Sequence, residues 1–385
     1  MRLKFLDCVD LINKSPVLSD VQISYVSTSA ANSSGIITER IEGYDFKDRP
    51  SRANLTAVTG DVLFARMAAT KKAILIDSSS EEYVYSTGFA VVRPKRGIIT
   101  SDCLYHLVRS KSFEIAKDAL ATGATQKAIA NSGLKKLTVS IPPFCEQEEV
   151  CQKLSSIERQ RHLLNTQMKI LDELLESRFI EMFGNPVENQ LGWETFPLVD
   201  LCASIVDCPH STPKYTSDNT GYRCIRTSTV KKNRLLWDDI EFISEEEYKK
   251  RTKRREPKKG DIVYTREGAI LGIAAPIDRD YPIALGQRCM LLSPNFDLCT
   301  TDYLCSAMNL DAFLHYALRG LAGSASPHIN VGDIKAFKMP LPPLPDQLEF
   351  SAFVNGVNDV RTRVQNSINQ LQMLYDSLMQ KYFGD

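Results

Sequence analysis

From Val150 the apolar positions fall at alternating steps of four and three: Val150, Leu154, Ile157, Arg161, Leu164, Met168, Leu171, Leu175, Arg178 and Met182. That spacing is the seam of a coiled-coil helix, here with arginine at two seam positions. The same steps return from Phe350 through Val354, Val357, Arg361, Val364, Ile368, Leu371, Tyr375 and Leu378 to Tyr382. Each run follows a proline pair, Pro142-Pro143 or Pro342-Pro343. Acids come next, Glu146, Glu148 and Glu149 in one copy, Asp346 and Glu349 in the other, where a helix N-terminus favours negative charge. Each run closes on Phe-Gly, at 183–184 and 383–384, and Gly356 is a single weak point worth about 1 kcal/mol. The pattern predicts two helices of about 35 residues, each roughly 50 Å long. An apolar seam is costly to expose, so the two helices should pair, and pairing within one chain has the advantage of effective concentration over pairing between molecules.

The two phrases that open these helices, "IPPFCEQEEV" and "LPPLPDQLEF", stand 200 positions apart, and much else keeps that offset. Gly60-Asp61 matches Gly260-Asp261, and Arg66, Asp102, Leu104, Phe113, Gly123, Lys135, Gln147 and Arg161 match the same residue types at 266, 302, 304, 313, 323, 335, 347 and 361. One register over so many separate segments is a tandem duplication. Two similar units usually adopt an approximate two-fold relation, which makes the helix pair antiparallel and brings Phe383-Gly384 near Met1.

The remainder of each unit has shorter periods. "GDVLFARM" and "GDIVYTRE" after a Gly-Asp turn, and later "GFAVVRP" and "RCMLLSP", read as strands. "SDCLYHLV" and "TDYLCSAM" read as helix starts, with Ser101 or Thr301 as the cap. A small, polar, glycine-containing loop follows in each copy, "ATGATQKAIANSGLKKLTV" and "LAGSASPHINVGDIKAFKM". The first sixty residues of the two units are much less alike, apart from "YVSTS" at 25–29 and "CIRTS" at 224–228, one residue out of register. A shared frame carrying divergent surfaces is expected.

The 47 basic and 47 acidic residues cancel, so any attraction to an anionic partner must come from local patches. The densest is "KKRTKRREPKK" at 249–259, with "KKNR" at 231–234; the first unit offers "RPKR" at 93–96 and Lys71-Lys72. Such runs are usually solvated faces, but two basic domains on a rigid helical ruler favour a nucleic-acid backbone. The ten cysteines include no C-x-x-C pair, no signal peptide precedes them and no apolar run reaches membrane-spanning length, so reduced thiols and a cytoplasmic location are expected. Cys202, Cys208 and His210 match no common zinc spacing. There is no phosphate-binding G-x-x-x-x-G-K-[ST] loop and no dinucleotide fingerprint. "IPPF" at 141–144 has the form of an amino-methyltransferase motif, but Ile141 has no oxygen to accept the target amine's hydrogen. Glu247-Tyr248-Lys249 has a nuclease-like E-x-K spacing, but it lies in a charge-rich stretch and has no copy in the first unit.

The order globular part, "IPPFCEQ" helix ending "FGNP", globular part, "LPPLPDQ" helix ending "FGD", together with "CPHSTPKY", "GDIVYTREGAILG" and "ALGQRCMLL", strongly resembles the specificity subunit of Type I restriction-modification systems over essentially the whole chain. The resemblance implies a mixed α/β fold: two similar target-recognition domains at 1–143 and 187–343, separated by long helices at 144–186 and 344–385 that form an antiparallel coiled coil with pseudo-two-fold symmetry. It implies a non-catalytic subunit that reads the two halves of a bipartite, asymmetric double-stranded DNA target. The implied partners are two adenine methyltransferase subunits and, where restriction occurs, an ATP-dependent translocating nuclease. S-adenosylmethionine, ATP and Mg belong to those partners, and no cofactor, metal or membrane is expected for this chain. Two other readings stay open: a DNA-processing enzyme with an unrecognised active site, and a coiled-coil protein scaffold. Polar and basic groups at matching repeat positions are the expected DNA contacts. They are Thr28, Ser29, Arg66, Thr87, Thr125, Gln126 and Lys127 in the first domain, and Lys214, Tyr215, Thr227, Ser228, Arg266, Gln287, Arg288, Ser326 and His328 in the second. For Arg66 and Arg266 the alternative is an ion pair with a neighbouring acid.

Overall fold

Both long helices begin directly after their proline pairs, at Phe144–Phe183 and Leu344–Phe383. The computed structural model describes residues 1–13, 22–32, 37, 41–319 and 327–384. These form two compact units, Met1–Asn165 with Gln365–Asp385, and Thr166–Val364. Each unit therefore holds one globular part and a portion of both helices, and the helices do not stand as a separate domain.

In unit 1 the centre is a four-stranded antiparallel sheet in the order Val9–Ile12, Phe89–Pro94, Val62–Ala65, Ala73–Leu75. Alternate residues face opposite ways, as the strand period requires. Val9, Val62, Phe64, Ala90 and Val92 pack against the helices Ser101–Arg109 and Lys111–Ala119, with Phe5, Leu154 and Phe383 in the same cluster. Leu63, Ala65, Phe89 and Val91 pack the other way, against Val26, Leu55 and Tyr85 of a second sheet. Both faces being covered explains why "VLFA" is buried at every position instead of alternating.

Unit 2 repeats this frame with Cys202–Asp207, Cys289–Pro294, Ile262–Thr265 and Ala274–Pro276 in the matching sheet. The second sheets share a nucleus. Tyr25 lies opposite Val84 in a parallel pair, as Cys224 lies opposite Ala284, so the one-residue slip of "YVSTS" against "CIRTS" is real. Around this nucleus the units diverge: unit 1 adds Ala53–Leu55 beside Val84–Ser86, whereas unit 2 adds Tyr215–Thr216 beside Glu241–Ile243.

The helix seams are buried or half-buried at every expected position. Within unit 2, Arg361 meets Asp172 at 2.7 Å and Glu349 meets Arg178 at 2.8 Å, so the two helices run antiparallel. In unit 1, Arg161 lies over the Tyr375 ring at 6.0 Å, while Val150 and Leu154 share a cluster with Met379 and Phe383, the same sense. Phe183 and Phe383 are more than stop signals, because both are almost fully buried in their units' cores. Ser112 donates to the Phe383 carbonyl and the Met1 amino group donates to Ile141 O at 2.7 Å, so both described chain ends are tied into unit 1.

Thr100 and Thr300, not Ser101 and Thr301, cap the helices they precede, accepting from Cys103 N–H and Tyr303 N–H at 3.2 Å. Thr301 Oγ1 is engaged elsewhere, donating to Gly260 O.

Candidate nucleic-acid interface

Three loops meet at the ends of the inner strands of each central sheet, laced by backbone hydrogen bonds. In unit 1 the Arg66 N–H donates to Gly88 O and the Ile129 N–H donates to Arg66 O, both at 2.9 Å. Unit 2 makes the same bonds 200 residues later, Arg266 N–H to Arg288 O at 3.0 Å and Ile329 N–H to Arg266 O at 2.9 Å. Each arginine backbone thus joins the loop after the second central strand to the loops at 87–88 and 122–129, or 287–288 and 327–329.

Nearly all the expected contact residues gather here. In unit 1, Lys72 Nζ donates to Thr28 O at 2.9 Å, and a Cβ at Gly88 would stand 2.8 Å from Thr28 Cγ2, so the 27–29 turn adjoins the Thr87-Gly88 loop. Ser29 and Thr87 are exposed. Reciprocal bonds of 3.0 Å link Thr122 and Ala128 and close the next loop; Gly123 takes a φ of +137°, and a Cβ there would lie 2.3 Å from Gln126 O. Only glycine fits that close approach, which holds Thr125, Gln126 and Lys127 out in solvent. In unit 2, Gly286 N–H donates to Ile225 O at 2.8 Å and Thr212 Oγ1 donates to Gln287 Oε1 at 3.2 Å. This brings the loop of Lys214 and Tyr215, the turn of Thr227 and Ser228, and Gln287-Arg288 together. Arg226 covers the Tyr215 ring at 5.1 Å, and burial pushes that phenol's pKa up. Arg288 and His328 are exposed, and Ser326 lies outside the described residues.

Arg66 and Arg266 differ sharply in their side chains. Arg66 Nε donates to Phe89 O at 3.0 Å and Nη1 to Ile129 O at 3.3 Å, both neutral acceptors, and burial lowers its pKa. Arg266 is 5% exposed and bonds both Asp207 carboxylate oxygens, at 3.0 and 3.4 Å, with Glu267 at 3.1 Å. Among the described residues, the ion-pair alternative therefore describes Arg266 and not Arg66. The Arg266 charge is taken up by acids inside the fold. Sequence reasoning missed Asp207, which also pairs with His210 at 3.0 Å.

The basic runs are likewise partly internal. Arg251 is buried against Glu247 at 2.7 Å and donates to Ser211 O at 2.6 Å, Arg255 reaches Asp261 at 3.0 Å, and Lys249 pairs with Glu245 at 2.7 Å. Lys232 pairs with Asp311 at 2.6 Å, and Arg93 with Asp61 at 2.7 Å. Lys250, Lys253, Lys258, Lys259 and Arg96 remain exposed for an external anion. Glu247 of the E-x-K triplet is buried with Arg251 while Lys249 points to solvent, so the two do not converge. Cys202 and Cys208 sit in different apolar clusters, their thiol pKa values raised by burial.

A family model described as the Type I restriction modification DNA specificity domain matches twice, at residues 10–174 and 190–371. The chain belongs to this family. Each match spans one recognition fold and most of the helix after it, which is the repeat unit seen in the structure. Among curated relatives, the chain is 20% identical over 295 residues to the "Type I restriction enzyme MjaVIII specificity subunit" of Methanocaldococcus jannaschii, covering 72% of this chain and 68% of that one. It is 21% identical over 358 residues to the "Type I restriction enzyme EcoKI specificity subunit" of Escherichia coli K12, covering 84% and 74%. Among solved structures, it resembles the Type-I restriction-modification system S subunit from M. genitalium with a TM-score of 0.57 at 16% identity, over 100% of this chain and 96% of that one. A chain from a study of complex assembly and conformational transition of the type I R-M system aligns with a TM-score of 0.58 at 21% identity, covering 99% and 96%. At these identities the likeness carries the fold, and the loop side chains are this protein's own. Among the described residues no helix is long and apolar enough to cross a membrane.

Proposed function

We propose that this chain is the non-catalytic DNA-reading subunit of a Type I restriction-modification complex, each recognition domain reading one half of a bipartite, asymmetric double-stranded target. The observation that carries the reading is the pair of loop clusters. Their backbones are laced identically through Arg66 and Arg266, while the side chains displayed on that frame differ: Thr87 against Gln287, Gly88 against Arg288, Lys127 against Pro327, Ala128 against His328. A common frame with different hydrogen-bonding groups is what two different half-sites require, because phosphate contacts position a reader and base-edge contacts specify it.

The long helices set the unspecified spacer, and two adenine methyltransferase subunits, which use S-adenosylmethionine, are the partners. An ATP- and Mg-dependent translocating nuclease joins them for restriction. The complex acts in the cytoplasm, where the DNA is. The test is a gel shift across a salt series, with and without the methyltransferase partner, followed by mapping of methylated adenines. Binding that weakens with salt, and methylation confined to one interrupted sequence, are expected. Binding without sequence preference in the full complex, or adenine methylation by this chain alone with S-adenosylmethionine and Mg²⁺, would overturn the reading.

A further inference from the structure

Strand register identifies what stands in unit 1 where Asp207 stands in unit 2. Ile12 lies opposite Val91 as Val206 lies opposite Leu291, so the next residue, Asn13, takes the place of Asp207. The second acid on Arg266, Glu267, corresponds to Met67, and the two share a bridge to equivalent positions, Ala128 and His328. Unit 1 thus has the same arginine with both carboxylates replaced, one by its neutral amide isostere. Asn13 is exposed, and Arg66 Nη2 has no protein partner among the described residues.

From this we infer that Asp207 is a specificity-determining residue: by holding Arg266, and with Glu267 outweighing its charge, it makes the second recognition surface discriminate through neutral groups and the exposed Arg288, while Arg66 gives the first surface a phosphate contact. This rests on the DNA-reading function proposed above. The physical ground is that an arginine held by carbonyls keeps its full charge for an external anion, whereas a guanidinium between two carboxylates presents a net negative site. A phosphate approaching Arg266 would meet Asp207 and Glu267 first, and like charges in contact suppress wrong encounters. The two halves of the target are therefore held unequally at this arginine.

The test exchanges the acids between the units in the full complex with its methyltransferase subunits. D207N/E267M should add one phosphate contact: the salt dependence of binding to scrambled DNA steepens by about 0.9 in the log–log slope, roughly a 3.5-fold change between 50 and 200 mM salt. Preference for the true target over scrambled DNA should fall severalfold. The reciprocal N13D/M67E should make the slope shallower by about the same amount, and it alone decides if the first variant fails to assemble. Slopes unchanged in variants with native melting temperature would overturn the inference while leaving the DNA reading intact. A wild-type complex that binds no DNA at low salt would remove both.

Discussion

Gln147 Oε1 accepts the Thr100 backbone N–H at 2.9 Å, and its amide nitrogen donates to Ile98 O at 2.9 Å and Pro142 O at 3.2 Å. Gln347 makes the same three bonds to Thr300, Leu298 and Pro342. Both glutamines are wholly buried. The repeated phrase at the start of each long helix is therefore a clamp: one side chain satisfies the cap residue of the domain's helix, the turn before it and the proline pair.

Replacing Gln347 by Leu should strand the Thr300 N–H and two carbonyls away from water. An expected loss of about 1–3 kcal/mol follows for each group left unpaired, checked by urea unfolding of the variant against the native chain. Gln347→Glu keeps an acceptor but loses the amide donors, and should also destabilise.

Asp172 forms ion pairs with Arg361 at 2.7 Å and Arg234 at 3.7 Å, tying the helix pair of unit 2 to the Val230–Leu235 hairpin. Arg361 is 9% exposed and Asp172 half-exposed. Asp172→Ala should cost roughly 1–2 kcal/mol, less than a fully buried pair because solvent reaches the acid. Adding Arg361→Met should recover much of that loss, since the unpaired buried cation is then gone. A double-mutant cycle by denaturant unfolding measures it; strict additivity would mean that the pair contributes nothing.

His106 is 1% exposed, with Ser155 Oγ at 3.2 Å from Nε2, and burial pushes its pKa down to about 4 from an ordinary 6.5. Between those values the unfolded chain binds a proton that the folded chain refuses, so stability is full above pH 6.5 and falls as pH drops toward 4. The loss is on the order of 3 kcal/mol. His106→Ser, the residue at matching position 306, should flatten that slope in a pH series of unfolding curves, whatever its effect at neutral pH.

Inserting four residues, about one turn, into the first long helix should add roughly 6 Å along it. Methylation mapping of the complex should then show a changed spacer with unchanged half-site sequences. Altered half-sites would mean that the helices contact bases.

The long helices, their pairing and the duplication were legible in the chain alone, because a heptad seam, a proline start and a Phe-Gly stop are local signals that survive any docking. So were the central strands and most of the loop residues gathered at their ends. Tertiary structure decided how charge is used. Whether an arginine is a contact or a buried partner depends on what the strand ladder brings against it. Asp207 lies 59 residues before Arg266, and Arg255 pairs with Asp261. The cap at Thr100 likewise depends on Gln147, 47 positions away. Phe183 and Phe383 look like punctuation in sequence but are buried in the cores where their helices end. Periodicity records which face of an element is apolar; it carries no record of which distant charge that face will meet, because pairing energies at close range are set by register across strands that the chain joins only through long loops.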